Sequence, residues 1–513
     1  MNVSFDPVGF LLDQLEQTPH LGRDGLQKLK NQVARRVGGP LLRNDVLLGR
    51  YRQQVTLELR SPNPELERTL VLNAIRSDSG VVTVTVLTKP YPCPGRCVYC
   101  PTDPHAPKSY LPNEPPTLRA IDNDYDPHRQ VTSRLTALRN TGHAVDKVEL
   151  IVKGGTWSFY PDSYQRRFIQ RCFDAANGFP SEDLETAQRQ NETAKSRIIG
   201  LTIETRPDYV TGPEIERLRE LGVTRVELGV QSLEDRILDL TQRDHTTEEV
   251  ARGTQRLRDA GFKVVYHLMP NLPGATPSED LNSFQRLFED PAFRPDALKI
   301  YPCVVVESAE LYRWWKEGLY RPYEEETLLE LILQMKQRVP PYVRIERIVR
   351  DIAASSVIAG CRQNNLRETV RKRMNERNLR CRCIRCREVR RGAGGKFLLV
   401  RREYEASGRR EIFLSFEDPR TDRLAALLRL RILENAGMVR ELHTYGWQLP
   451  LQERDSSGVQ HRGFGRRLMA QAERIARKEV GLNQMAVIAG VGVREYYRRL
   501  GYRLEQTYMV KEL

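Results

Sequence analysis

A repeated alternation of strands and helices constrains the fold more than any other feature of the sequence. From Val81 onward, short runs rich in β-branched residues alternate with amphipathic segments, several of which open at Ser, Thr or Pro and close at Gly or Asn. Such units build a parallel sheet, either curled as a full or partial TIM-like barrel or open and flat, with functional residues at the carboxyl ends of the strands. The six predicted strands are VVTVTVLTK (81–89), KVELIVK (147–153), RIIGLTIE (197–204), VTRVELGVQ (223–231), FKVVYHL (262–268) and ALKIY (297–301).

After about residue 390 the pattern changes. Four consecutive strand-like segments predict an antiparallel meander, and a long helix, a buried strand, a short helix and a final strand follow. We therefore expect a second α/β domain. The predicted organisation is a basic, mainly helical segment at 1–75, the strand–helix domain at 76–350, a basic link at 351–392 and the second domain at 393–513.

The net charge of +14 is concentrated in two stretches of the 513 residues. Residues 23–52 carry eight Lys and Arg against two acids, and residues 371–411 carry fifteen against five. Two concentrated patches favour binding of a phosphate backbone over an evenly basic surface. No apolar run approaches the roughly 18 residues of a membrane span, and the first residues do not read as a signal peptide. We expect a cytoplasmic protein whose nine Cys serve ligation more than disulfides.

A first group of cysteines directly follows the first strand. Cys93, Cys97 and Cys100 form a C-x3-C-x2-C loop with Tyr99 before the last Cys. Three thiolates can hold three irons of a 4Fe–4S cluster, and no further Cys follows within seventy residues, so one iron would stay open. A zinc loop or a ferredoxin-like cluster would normally supply a fourth ligand. The loop resembles that of the radical S-adenosylmethionine (SAM) superfamily, in which the open iron binds SAM.

Polar and glycine residues at the following strand ends fit the same resemblance. Gly154 and Gly155 are similar to the glycine pair of that superfamily, although a tight turn alone would also need them. Glu204, Arg206 and Gln231 are predicted to contact SAM, and Lys153 is a candidate catalytic residue. Ser232, Arg243 and His245 complete a predicted polar ring at this end of the barrel.

The second domain carries a loop suited to a pyrophosphate. Backbone N–H groups at the start of a helix attract phosphate, and here the residues before and at the helix start are Gln460, His461, Arg462, Gly463, Phe464 and Gly465. The loop resembles the acetyl-CoA loop of GNAT acetyltransferases. In that family a Tyr hydroxyl lies near the thioester sulfur, which makes Tyr496 and Tyr497 candidate catalytic residues, of which we expect only one to face the coenzyme. The alternative for these two tyrosines is core packing.

A second group of cysteines lies in the basic link. Cys381, Cys383 and Cys386 are close enough to repel one another as thiolates, which favours a structural zinc ion over three free thiols. We expect Cys361 as the fourth ligand, with Cys303 or a His as alternatives. Cys172 is predicted to be a buried helix residue.

A radical SAM domain fused to a GNAT domain resembles the family of the catalytic subunit of Elongator. The resemblance covers nearly all of residues 70–513, including the segments KSYLPNEPPTLRA, IETRPDY, RVELGVQS, QHRGFG and YYRRLGYR. The chain departs from the commonest family pattern in the gap between the first two cluster cysteines, which is longer in the family. The shorter gap here is nearer to the general superfamily spacing and leaves the cluster assignment intact.

The resemblance implies an activity, namely carboxymethylation of carbon 5 of the wobble uridine of tRNA with acetyl-CoA as carbon donor. It also implies that the basic N-terminal segment and the zinc link hold the anticodon arm. Two other hypotheses remain, a protein lysine acetyltransferase with a structural barrel and a non-enzymatic tRNA-binding scaffold. The sequence leaves open which tRNAs and which electron donor are used, the oligomeric state, a homodimer included, and the need for accessory subunits.

Overall fold

The first four helices pack around a core of their own. The computed structural model describes residues 5–18, 21–70, 80–389, 395–446 and 463–513. Its N-terminal unit consists of α1 (Pro7–Gln17), α2 (Gly22–Val37), α3 (Asn44–Thr56) and α4 (Pro64–Leu70). Leu11, Leu47 and Tyr51 are among its buried residues. The side chain of Asp6 accepts hydrogen bonds from the first turn of α1, which fixes where that helix starts.

Seven parallel strands form the central sheet, in the order in which they occur along the chain. They are β1 (Val81–Leu87), β2 (Lys147–Lys153), β3 (Arg197–Thr205), β4 (Arg225–Gln231), β5 (Lys263–Leu268), β6 (Ala297–Ile300) and β7 (Arg344–Ile348). Within the described residues β1 does not pair with β7, so the sheet is an open partial barrel and not a closed one. The parallel α/β prediction is confirmed, but the number of six strands was wrong by one.

Helices connect and cover these strands. They are α5 (Pro115–Ile121), α6 (Pro127–Asn140), α7 (Asp162–Asn177), α8 (Leu184–Asn191), α9 (Gly212–Glu220), α10 (Asp235–Leu240), α11 (Thr247–Asp259), α12 (Pro277–Glu289), α13 (Leu311–Lys316) and α14 (Glu325–Gln337). Cys172 lies buried on α7, as predicted. Two further helices, α15 (Leu366–Glu376) and α16 (Ile384–Arg387), follow β7. None of the helices described is long and apolar enough to cross a membrane.

A second sheet of seven strands follows. The strands and helices of this second domain are β8 (Leu398–Ala406), β9 (Arg409–Asp418), β10 (Arg423–Ile432), β11 (Gly437–Thr444), α17 (Phe464–Arg474), β12 (Gln484–Val487), α18 (Arg494–Arg498), β13 (Arg503–Glu505) and β14 (Tyr508–Glu512). The strand order is β13-β14-β12-β11-β10-β9-β8. The predicted meander is confirmed as β8 to β11, and the pair β11/β12 is parallel.

Buried ion pairs join the second sheet to the amino ends of the barrel strands. Asp296, which directly precedes β6, receives two hydrogen bonds of 2.8 and 2.7 Å from Arg440 on β11. Arg258 at the end of α11 lies 3.1 Å from Glu411 on β9. All four side chains are at most 1% exposed. The second domain therefore docks on the end of the barrel opposite to the carboxyl ends of its strands.

Two glycines allow close backbone contact at the same junction. A Cβ atom at Gly490 would lie 2.1 Å from the carbonyl oxygen of Ile199 on β3. A Cβ atom at Gly492, in the 3-10 turn Val491–Val493, would lie 2.6 Å from the Cβ of Arg197. Only residues without a side chain permit this approach.

Candidate functional site

The three cysteines of the first group lie on the loop that leaves the carboxyl end of β1. The backbone N–H of Cys100 donates to the carbonyl of Cys97 over 3.0 Å. Arg243 Nη1 lies 3.6 Å from Cys97 Sγ, and Thr156 Oγ1 lies 3.6 Å from Cys93 Sγ. The pKa of the Cys100 thiol is raised to about 12, mainly because the side chain is buried and secondarily because Cys97 lies beside it. A bound metal cluster would supply positive charge that favours the thiolate form of this side chain.

The glycine pair follows β2 with left-handed backbone angles, φ 130° at Gly154 and 78° at Gly155. A Cβ atom at Gly154 would lie 1.9 Å from Thr88 Oγ1, whose hydroxyl donates to the Gly154 carbonyl. At Gly155 the nearest atom to such a Cβ is 3.6 Å away, on Lys108. Gly154 is therefore required by its contact with Thr88, whereas a Cβ atom at Gly155 would touch Lys108 only at ordinary van der Waals distance.

Several buried polar atoms on and near this loop have no hydrogen-bond partner, and two of them belong to Arg206 and Gln231. Arg206 is held by Asp208 and by the carbonyl of Asp244, but its Nη1 makes no hydrogen bond. Gln231, at the end of β4 with φ 70°, has an unpartnered Oε1. Buried polar atoms usually have a partner, so the donor on Arg206, whose nearest carboxylate oxygen is 3.9 Å away on Asp244, and the acceptor on Gln231 can each take a hydrogen bond from a ligand. A group with both amino and carboxylate functions, such as the methionyl end of SAM, fits this pair.

A cavity of about 290 Å³ opens at the carboxyl ends of the strands. The structure brings four predicted residues to its wall, namely Cys100, Lys153, Glu204 and Gln231. Cavities of this size hold small ligands and cofactors. These four side chains therefore lie together at the carboxyl end of the barrel.

A buried ionic cluster forms the floor of that cavity. Glu227 is fully buried and accepts hydrogen bonds from Lys153, from Lys299 at 2.5 Å and, in one ring tautomer, from His267 Nε2 at 2.7 Å. Lys153 Nζ also lies 2.9 Å from Glu204. The sequence analysis did not identify Glu227, His267 or Lys299. The available signal was an ionisable residue among the apolar inner positions of each of three strands.

The two lysines of this cluster are stabilised as cations to different extents. Burial alone would lower the pKa of Lys153, but the carboxylates of Glu204 and Glu227 outweigh it and hold that pKa well above its usual range. Burial lowers the pKa of Lys299 to about 8, because Glu227 only partly compensates and Lys153 repels it. Lys153 therefore stays a paired cation, whereas Lys299 gives up its proton more readily than an ordinary lysine.

In the second domain, Gly463 caps α17 with φ 68°. A Cβ atom at Gly465 would lie 3.0 Å from the hydroxyl of Tyr496. Tyr496 is 39% exposed, whereas Tyr497 is 6% exposed and belongs to the core of this domain. The geometry thus separates the two candidates, since Tyr496 faces the helix start and Tyr497 packs. The predicted loop residues Gln460, His461 and Arg462 lie outside the described residues.

Phe464 is a core residue. Its ring stacks on Phe416 with centroids 4.4 Å apart, and its side chain is 3% exposed. Its backbone can still face a pyrophosphate at the start of α17.

The cysteines of the link converge without their predicted fourth partner. The sulfurs of Cys381, Cys383 and Cys386 all lie within 4.8 Å of one another, a spacing suited to one metal ion. Cys361 is not part of this group and instead lines the barrel cavity. The segment before α15 is pinned there because Ala359 forms a β-bridge with Val305. The fold-back that would bring Cys361 to the other three does not occur in the described residues.

The two basic patches differ once folded. In the stretch 371–411, most of the described cations are paired with carboxylates that the fold supplies, for example Arg373 with Glu326 and Arg377 with Glu330. In α2 the cationic side chain of Arg35 is exposed, and no ion pair is found for it in the part of the chain that is described. The N-terminal patch therefore keeps more free positive charge than the second one.

Comparisons with known proteins place the chain. It matches the Radical SAM superfamily over residues 91–287 and the Radical_SAM C-terminal domain over residues 295–376. The tRNA uridine(34) acetyltransferase of Dehalococcoides mccartyi is 50% identical over 455 residues, covering 85% of this chain and 99% of that protein. Elongator complex protein 3 of Bos taurus is 40% identical over 538 residues, covering 99% and 96%.

A solved structure agrees with these matches. The archaeal Elp3 of Methanocaldococcus infernus with an N-terminal deletion (1–46) has a TM-score of 0.76 and 45% sequence identity, covering 85% of this chain and all of that one. The chain therefore belongs to the radical SAM superfamily and, within it, to the family of Elongator complex protein 3 and the tRNA uridine(34) acetyltransferases.

Proposed function

We propose that the chain is a tRNA-modifying acyltransferase that forms 5-carboxymethyluridine at the wobble position of tRNA from acetyl-CoA. The names of its relatives point to uridine 34 of tRNA. The observation that carries the proposal is the loop of Cys93, Cys97 and Cys100. Its Cys100 lines a cavity to which Gln231 also contributes, and the Oε1 atom of Gln231 has no hydrogen-bond partner.

In this proposal the three cysteines hold a 4Fe–4S cluster, and Gly155, Arg206 and Gln231 hold SAM beside it. The cluster and SAM, when bound, supply radical chemistry. Arg243, at 3.6 Å from Cys97 Sγ, contributes a positive charge next to the thiolates. Glu204 takes part through Lys153, whose position it fixes.

The floor of the cavity is suited to a pyrimidine ring. An ammonium group has three N–H donors, and two of those on Lys153 are used by Glu204 and Glu227. The third N–H of Lys153 and an N–H of Lys299 can donate hydrogen bonds to the carbonyl groups of the ring or to a carboxylate product. His267, held against Glu227, orients this floor. Lys153 thus positions the substrate and is not a free nucleophile.

The second domain supplies the carbon donor. Backbone N–H groups from Gly463 to Gly465 would bind the pyrophosphate of acetyl-CoA, together with the predicted loop residues 460–462. The hydroxyl of Tyr496 lies next to this helix start and is the candidate group beside the thioester. Thr444 on β11 lies on the same side, 3.8 Å from the Cβ position of Gly465.

Two further assignments complete the proposal. Cys381, Cys383 and Cys386 hold a structural zinc ion whose fourth ligand is not Cys361. The exposed cations of α2 and α3 bind the backbone of the anticodon arm, which presents a single-stranded base. The enzyme acts in the cytoplasm, where tRNA is modified.

The direct test is mass spectrometry of nucleosides after anaerobic incubation of the reconstituted protein with tRNA, SAM and acetyl-CoA. We expect carboxymethyluridine from the unaltered chain and none from Cys97→Ala, which should also lose the visible absorbance of the cluster. The tRNA affinity of this variant should stay unchanged, because ligation and phosphate contact use separate surfaces. Deoxyadenosine formation by Cys97→Ala would contradict the cluster assignment.

The second candidate, a protein lysine acetyltransferase, rests on the exposed Tyr496 at the helix start. It predicts CoA release that is independent of tRNA. The proposed tRNA enzyme predicts that tRNA stimulates CoA release severalfold even in air. Replacing Gly465 with Val should abolish the stimulated release, because the added side chain meets Tyr496, while tRNA binding persists.

A further inference from the structure

The proposed cluster needs an electron, and the barrel cavity is a poor route for it. Radical chemistry at an iron–sulfur centre starts with one-electron reduction. In the proposed function SAM, the acyl group and the target base all occupy the cavity at the carboxyl ends of the strands. A protein that delivers electrons during turnover must therefore approach the cluster from another side.

Three tyrosines stack in a file outside the barrel beside the cluster loop. The rings of Tyr164 and Tyr160 are stacked with centroids 5.1 Å apart, and those of Tyr160 and Tyr91 with centroids 4.7 Å apart. Tyr91 is two residues before Cys93. The cluster loop also contacts the segment that carries Tyr160. The Cys93 sulfur lies 3.6 Å from Thr156, which begins the 3-10 turn leading to Tyr160.

This file is held rigidly. The Tyr160 hydroxyl shares a hydrogen bond of 2.8 Å with Thr88 Oγ1 and lies 2.9 Å from the carbonyl of Lys89. The backbone N–H of Lys89 donates to the Tyr164 hydroxyl over 3.1 Å. The aromatic rings are thus tied to the end of β1, from which the cluster loop departs.

The outer end of the file forms the wall of a surface cavity of about 400 Å³. Lys89, Arg167 and Arg171 line this cavity together with Tyr164, and Lys89 Nζ lies 5.2 Å from the centre of the Tyr164 ring. Two carboxylates, Asp124 and Asp126, also line it, and Asp124 is neutralised by an ion pair with Arg129. Arg171 is paired with Asp126 at 3.5 Å. Lys89 and Arg167 are exposed, and among the described residues neither has a carboxylate partner. The cavity is therefore aromatic at its base and carries free positive charge at its rim.

We propose that this surface cavity docks a negatively charged one-electron carrier protein, and that the file Tyr164, Tyr160 and Tyr91 leads from it to the cluster. The reduced carrier loses one electron and the cluster gains one, so that no covalent bond changes and no proton moves. Complementary charge steers such an encounter and sets its rate of association. The inference rests on the proposed cluster and on no step that involves tRNA or acetyl-CoA.

The test measures cluster reduction and not product formation. A reduced plant-type [2Fe–2S] ferredoxin of acidic surface serves as the probe, and stopped-flow absorbance follows bleaching of the cluster. The double variant Lys89→Glu with Arg167→Glu should lower the second-order rate constant about tenfold or more at low salt and remove most of its salt dependence. Reduction by dithionite, a small reagent, should stay unchanged.

A control lies on α13, whose Tyr312 packs in one hydrophobic cluster with Cys97 and Cys100 of the loop. Lys316 at the end of α13 is also exposed and also lies over a tyrosine ring, that of Tyr312, at 4.3 Å. The variant Lys316→Glu should leave the ferredoxin rate unaltered. The variant Tyr164→Leu, which keeps the charges, should slow reduction at saturating ferredoxin without changing half-saturation.

Several results would overturn the inference. These are an unchanged ferredoxin rate in Lys89→Glu with Arg167→Glu, or an equal loss in Lys316→Glu. A loss of tRNA affinity with an unchanged ferredoxin rate would assign the cavity to nucleic acid instead. If the unaltered chain forms no cluster, both the proposed function and this inference fail, whereas a cluster reduced equally in all variants removes the inference alone.

Discussion

The two junctions that flank the barrel are built differently. The N-terminal unit has a separate core and meets α6 through contacts such as the hydrogen bond of 2.8 Å from Arg52 to the carbonyl of Asn140. The C-terminal domain shares one hydrophobic core with the barrel, to which Leu427 and Val491 belong, and adds the buried ion pairs around Asp296. The difference indicates that the C-terminal domain folds together with the barrel, while the N-terminal unit is an attachment that presents charge.

The largest effect is expected from Asp296→Asn. Asp296 is fully buried and faces Arg440, Arg258 and Arg429. Removing its charge leaves buried guanidinium groups uncompensated, which costs about 3–5 kcal/mol of unfolding free energy. Urea unfolding followed by circular dichroism measures the loss.

The control for this variant is an ion pair inside the N-terminal unit. Asp45→Asn removes the partner of Arg43, whose side chain is 49% exposed, and should cost only about 0–1 kcal/mol. Equal losses in the two variants would contradict the contrast between the C-terminal junction and the N-terminal unit.

Deletion of residues 1–70 should leave the remaining chain folded and able to bind its cluster, because the removed helices have their own core. The tRNA affinity should fall about tenfold or more, since phosphate contacts by exposed cations supply much of the binding free energy. Filter binding and the visible absorbance of the reconstituted cluster measure the two effects. Aggregation of the shortened chain would show that the N-terminal unit is required for folding.

A smaller effect distinguishes the two basic patches. Arg35→Gln with Arg36→Gln should reduce the slope of log affinity against log salt by about 2, because two phosphate contacts are lost. Arg373→Gln with Arg377→Gln should change that slope little, because Glu326 and Glu330 already neutralise these cations. A larger change in the second pair would make the link the main tRNA surface.

The smallest effect concerns the stacked rings of Tyr342 and Tyr404, which meet across the C-terminal junction with centroids 4.0 Å apart. A double-mutant cycle with Leu at each position should give a coupling free energy of about 0.5–1.5 kcal/mol. A coupling free energy near zero would mean that the buried ion pairs around Asp296, and not this ring contact, make the junction specific.

Sequence patterns predicted the barrel where its strands are apolar. Strands β1 to β6 contain β-branched residues that pack on the helices, and their periodicity is readable. The sequence prediction missed β7 because three of its five residues are charged. Arg344 pairs with Glu388 and Glu346 pairs with Arg225, and both partners lie far away along the chain. A strand whose charges are neutralised inside the fold resembles a surface segment in sequence.

The candidate site shows the same limit. The spacing of Cys93, Cys97 and Cys100 marks a cluster loop by itself, since all three ligands lie on one loop. Glu227 has no visible role until the sheet brings it beside Lys153, 74 residues away. Tyr496 and Tyr497 are adjacent on a helix of five residues, which is too short for periodicity to show which one is buried.

Gly490 and Gly492 have a consequence for how a reactant travels through the molecule. Because they seat the C-terminal domain backbone against backbone on β3, that domain has no room to pivot. The separation between the start of α17 and the cluster loop is then a constant length. A reactant that must contact both places therefore has to span this separation through its own flexibility. An acyl group on a long flexible carrier or a nucleotide in a flexible single strand can do so.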